Sequence, residues 1–140
     1  EGEKLADILR SRITAIETIV AHVKPKLPAI LSAWQAKLSS RLQEALGSVD
    51  DDRLKQEFAL FAQKIDVDEE LSRLVAHLSE VKRILKQGGQ AGKRLDFLMQ
   101  ELNREANTLG SKSVSTETTQ ASVELKVLIE QMREQIQNIE

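Results

Sequence analysis

Apolar residues recur at three- and four-residue intervals along almost the whole chain, the spacing of one face of an α-helix. From Leu5 to Val23 the stripe is Leu5, Ile8, Leu9, Ile16, Ile19, Val20 and Val23. Pro25 and Pro28 then remove two amide donors and predict a kink or break near residues 24–28. Helical spacing resumes with Leu27, Leu31, Trp34, Leu38 and Leu42 and stops at Gly47, a residue suited to a left-handed C-cap. One kinked helix and two separate helices fit residues 1–47 equally well. Asp50, Asp51 and Asp52 stand where acids favour a helix N-terminus, and the helix they open is predicted to run to about Ile65, burying Leu54, Phe58 and Phe61. The next starts near Asp66, which precedes Glu69 in a capping-box-like spacing. It carries Leu71, Leu74, Leu78 and Leu85 and ends at Gly88-Gly89. A fifth spans about Gly92 to Leu109, with Gly110 closing it, and Ser111 to Thr119 reads as a loop and N-cap region. The last helix carries Leu125, Leu128, Ile129, Met132, Ile136 and Ile139.

Strands favour aromatic and β-branched residues bounded by frequent turns. This chain of 140 residues is only 3% aromatic and rich in Leu, Ala, Glu, Gln, Lys and Arg, so it reads as all-α. The expected architecture is an antiparallel bundle of long amphipathic helices and helical hairpins, about 5–6 in number. A kinked N-terminal arm over 1–47 would precede a helical domain over 48–140. The heptads are too short and phase-shifted for a dedicated coiled coil. No apolar run approaches the roughly 18–20 residues that cross a bilayer, and no signal peptide is expected.

The absence of Cys excludes disulfides, thiolate metal sites and a Cys nucleophile. There is no P-loop or dinucleotide-type glycine loop, and no Ser in a supported triad context. If the chain is an enzyme, metal-assisted or acid–base hydrolysis is the class left. A net charge of −2 gives no global pull on nucleic acid, so contact with RNA or DNA needs a local patch. Lys82, Arg83, Lys86, Lys93 and Arg94 form an acid-free one between Val81 and Leu95, although a solvated helix end looks the same on charge alone.

Asp66, Glu70, Arg73 and His77 project in nearly one direction from one helix, beside its leucine face. Partly desolvated carboxylates and an imidazole can bind Mn²⁺, Mg²⁺ or Zn²⁺ or move protons, and they can equally form ordinary i,i+4 ion pairs. On the fifth helix Arg94, Phe97, Glu101, Glu105 and Thr108 share a second side. Glu101 and Glu105, one turn apart, could reach one divalent ion. An aromatic residue among those charges suggests a second contact, with an oligomer partner or with nucleotide. His22 has no acidic neighbour at helical spacing and reads as surface or packing.

Three segments resemble the C-terminal half of the YicC-like endoribonuclease family. They are Lys64-Ile-Asp-Val-Asp-Glu-Glu-Leu-Ser-Arg-Leu-Val-Ala-His77, the long Gly92-Lys-Arg-Leu-Asp-Phe-Leu-Met-Gln-Glu-Leu-Asn-Arg-Glu-Ala-Asn-Thr-Leu-Gly-Ser-Lys112, and the close, Val123-Glu-Leu-Lys126 with Ile129 to Glu140. The likeness covers the whole chain but about half of a family member, whose N-terminal α/β domain is absent. It implies a bacterial, cytoplasmic enzyme that cuts RNA internally and hydrolytically with a divalent metal, Mn²⁺ or Mg²⁺, needs no small-molecule cofactor, and assembles as a homo-oligomer. Carried onto this sequence, it puts metal binding on Asp66, Glu70, His77, Glu101 and Glu105, with catalysis on the last three. Arg73, Lys93, Arg94, Arg104 and Lys112 would hold RNA phosphates, since guanidinium and ammonium donors match phosphate oxygens. The alternative is a non-catalytic oligomerisation module or RNA clamp, with the chemistry in the missing domain.

Overall fold

A computed structural model describes residues 2–47, 51–89 and 91–138. Every regular element in them is helical: α1 (Gly2–Val23), α2 (Leu27–Leu46), α3 (Asp51–Ile65), α4 (Asp68–Gln87), α5 (Gly92–Ser111) and α6 (Thr116–Gln137). Between α1 and α2 the prolines tighten the backbone into a 3-10 turn, Lys24–Lys26, and Val23, Lys26 and Leu27 all keep right-handed helical angles. Residues 2–46 are therefore one continuous bent rod. Gly47 ends it at φ 75, as its lack of a Cβ allows.

The core belongs to α1, α4, α5 and α6. α5 lies between α4 and α6, and α1 packs on α6 and α4. Leu9, Ile13 and Ile16 of α1 meet Leu74 and Leu78 of α4, Met99 and Leu102 of α5, and Leu125 and Met132 of α6 in one cluster. Each such side chain contributes about 1.5–3 kcal/mol over its exposed state. α1, expected as the first part of an arm over 1–47, is thus a member of the bundle. Lys82 of α4 ties to Glu17 of α1 at 2.7 Å across its edge. Ile13 continues the α1 stripe at full burial, whereas Ile8 sits at its exposed margin.

The arm consists instead of α2 and α3, in which no described residue is buried. The expected burial of Leu54, Phe58 and Phe61 is not found: the first two are half-buried, and Phe61 is 41% exposed. Phe61 tilts against Trp34 with ring centroids 5.4 Å apart. Apart from Leu27 of α2, which packs partly buried against the bundle core, the two helices rest on each other and leave their shared seam half open. At the arm's root a groove of about 590 Å³ between Leu27, Leu31, Ile65 and Val114 leaves it unsealed against the bundle.

Several boundaries differ from the pattern. α4 begins at Asp68, not Asp66; Asp66 Oδ1 accepts the Asp68 N–H at 2.9 Å in a local turn two residues long, in place of a capping box. The α5–α6 connection is only 112–115, because Ser115 caps α6 by accepting the Thr118 N–H at 3.1 Å. Gly110 does not close α5 but lies inside it, and a Cβ built there would fall 2.7 Å from Ser122 Oγ of α6. Ser122 Oγ donates to the Ala106 carbonyl at 2.7 Å, which holds the two backbones together. Gly88 and Gly89, both at positive φ, end α4 as expected. Asp50 and Ile139 lie outside the described residues.

Candidate metal centre

α4 and α5 run antiparallel, joined by residues 88–91, and a polar seam follows one side of their contact. Its rungs cross from helix to helix. At one end Arg94 donates to Glu80 at 2.9 Å. Glu80 also accepts from Arg83, and Arg83 followed by Arg94 holds its carboxyl below the usual range. At the other end Lys112 donates to Glu70 Oε1 at 2.8 Å and to the Asp66 carbonyl at 3.2 Å. Each of these end rungs matches an acid with a cation.

The middle rung does not. His77 of α4 faces Glu101 and Glu105 of α5, and one ligand atom from each lies within 4.8 Å of the other two. Glu105 is 3% exposed, and burial pushes its carboxyl above the usual range, against the opposing pull of His77. Its Oε1 is 3.4 Å from His77 Nδ1, yet neither that nitrogen nor Glu105 Oε2 has a hydrogen-bond partner among the described residues, although both are buried. Arg104 stands 3.8 Å from Glu101 on the solvent side, beyond hydrogen-bonding reach. Buried polar atoms without partners are rare because desolvating them costs free energy. Two carboxylates and one imidazole with a buried orphan on each helix have the composition of a cation site. Atoms bonded to one cation at about 2.0–2.6 Å sit no more than about 4–5 Å apart, a limit that the spacing of the trio meets.

Of the five residues expected to bind metal, three converge and two do not. Glu70 points the same way as His77 but seven residues earlier, about 10 Å along the axis. Its Oε1 is taken by Lys112, while its buried Oε2 has no hydrogen-bond partner among the described residues. Asp66 lies before the helix, occupied with its own turn. Among the expected phosphate contacts, Lys112 is turned inward, Arg73 pairs with Glu69 on its own helix, and Arg94 is held by Glu80. Arg104 reaches outward at 75% exposure, and Lys93 is exposed with no ion pair among the described residues. Glu80 was missed, although it continues the Arg73–His77 spacing by three residues and positions Arg94.

Residues 23–140 match the family model described as endoribonuclease YicC-like, C-terminal. The chain belongs to this family. It is 52% identical over 140 residues to a protein of Haemophilus influenzae named probable endoribonuclease YicC, covering all of this chain and 49% of that protein. A protein of the same name from Clostridioides difficile is 36% identical over 143 residues, again 49% of its length. The chain thus spans about half the length of these YicC relatives. Among the described residues no helix is long and apolar enough to cross a membrane. The middle rung lies wholly within the stretch matched by the YicC-like model.

Proposed function

We propose that this chain supplies the metal-binding, RNA-contacting half of a divalent-metal-dependent endoribonuclease that cleaves phosphodiester bonds hydrolytically in the cytoplasm. The convergence of His77, Glu101 and Glu105, with the Glu105 carboxylate buried and half unpartnered, is the observation that carries it. One imidazole and two carboxylates suit Mn²⁺ better than Mg²⁺, which prefers oxygen alone. Three protein ligands leave positions free for water and substrate. A divalent cation bound there supplies Lewis-acid charge to phosphoryl oxygen and acidifies water. The protein's own part is positional. Glu105, fixed in the core face of α5, sets one ligand rigidly, Glu101 at the rim reaches toward solvent, and His77 would supply the nitrogen ligand from α4. Arg104 and Lys93 project where phosphates of a bound strand would pass.

In the intact protein, His77→Ala and Glu101→Gln each remove Mn²⁺ binding by calorimetry and abolish internal cutting of labelled RNA, with helicity by circular dichroism unchanged. EDTA does the same to the unaltered protein. Unchanged cutting in both variants takes these residues out of the site. A second reading, a non-catalytic homo-oligomerisation module or RNA clamp, draws support from the α2–α3 arm, which exposes Leu46, Leu60 and Phe61. On that reading light scattering finds stable oligomers, and cutting is indifferent to His77→Ala.

A further inference from the structure

We infer that Phe97 is a stacking platform for a nucleobase next to the cleaved phosphodiester, so that the centre selects single-stranded RNA. This rests on the metal-centre reading above. Phe97 is 58% exposed although it stands on α5, whose other large apolar residues Leu95, Leu98, Met99, Leu102 and Leu109 are all buried. Along α5 it lies between the Arg94–Glu80 rung and the His77–Glu101–Glu105 rung, four residues before Glu101, or about 6 Å of axis. It points to the same side of the helix as Glu101 and Thr108. Lys93 and Arg104, the two expected phosphate contacts that no side-chain hydrogen bond holds among the described residues, lie one turn before it and two turns after it. An aromatic face with cations along one line and a metal-ligand set one turn away matches a strand whose phosphates follow the cations while one base leaves the stack. Base stacking on an aromatic ring tolerates any base but needs one that is unpaired. In a duplex every base face is already covered.

The test uses the intact protein, a short fluorescein-labelled oligoribonucleotide, and the same strand annealed to its complement, with binding read by anisotropy in EDTA so that no cutting occurs. Phe97→Ala weakens single-strand binding by roughly 5- to 150-fold, the range found for loss of one stacked base. Phe97→Trp restores it, duplex binding changes less than about twofold, and an abasic nucleotide at the stacked position removes the difference between Phe97→Ala and the unaltered protein. Undiminished single-strand binding by Phe97→Ala, failure of Phe97→Trp to rescue, or a changed oligomeric state in Phe97→Ala overturns the inference, the last assigning Phe97 to a contact between copies. If His77→Ala still abolishes Mn²⁺-dependent cutting in that case, only the stacking role falls. If neither RNA form binds, the proposed function falls with it.

Discussion

Glu105 is held in a place that suits a ligand and not a folding element. Its carboxyl titrates above the ordinary range because burial outweighs the attraction of His77. A raised folded value means that this group favours the folded state below the unfolded value, near pH 4.5, and that the contribution is lost as pH rises through the folded value. In EDTA at neutral pH, ionised Glu105 therefore costs stability. Glu105→Gln should unfold at higher urea and melt at a higher temperature than the unaltered chain. The gap should narrow as pH falls toward about 5. Equal stability at all pH values would mean that the carboxylate is compensated within the fold. The same variant should lose Mn²⁺ binding, so stability and ligation move in opposite directions at one residue.

At the scale of elements, the antiparallel contact of α5 with α6 depends on the missing side chain at residue 110. Alanine in a helix interior is worth about 1 kcal/mol over glycine. Here its methyl would press on Ser122 Oγ, 2.7 Å away, and Ser122 cannot turn aside without giving up its bond to the Ala106 carbonyl. Gly110→Ala should therefore destabilise by about 1–3 kcal/mol in urea unfolding, the usual cost of overpacking. In a Ser122→Ala background the same change should be neutral or favourable; an additive double mutant would place the cost elsewhere. The periodicity predicted every helix, because each carries one apolar stripe, buried in α1, α4, α5 and α6 and only partly covered in α2 and α3. It misplaced the end of α5, since a glycine required by a neighbouring helix looks in sequence like one required by a turn. The site was legible in the same partial way. Spacing marked His77 within one stripe and Glu101 with Glu105 within another, and only the family resemblance joined the two. Direction around a helix does not report height along it, so Glu70 and Asp66 were grouped with an imidazole they do not reach.

For the whole molecule, burial divides the chain into a four-helix bundle and a two-helix arm, and sequence alone divided it differently. The apolar stripes of α1 and α2 look alike in sequence. Only α1 finds partners on more than one side, and a stripe cannot announce how many neighbours it will have. Amides of α2 and α3 should exchange with deuterium at opening free energies well below those of α4, α5 and α6, where exchange approaches the global limit. Uniform protection across all six helices would show that the arm is covered in solution, and dilution would then reveal whether a second copy does the covering.

The α4–α5 seam carries one further consequence. Its two end rungs each pair an acid with a cation, while the middle one sets two carboxylates of α5, one turn apart, against a single imidazole of α4. A cation that joins the two helices there adds to cohesion by mass action, about 2.7 kcal/mol at a hundredfold excess over its dissociation constant. With Mn²⁺ bound as proposed, chelators should lower the melting point of the bundle as they withdraw the ion. The His77→Ala variant, with no clasp to lose, should melt at the same temperature with or without them.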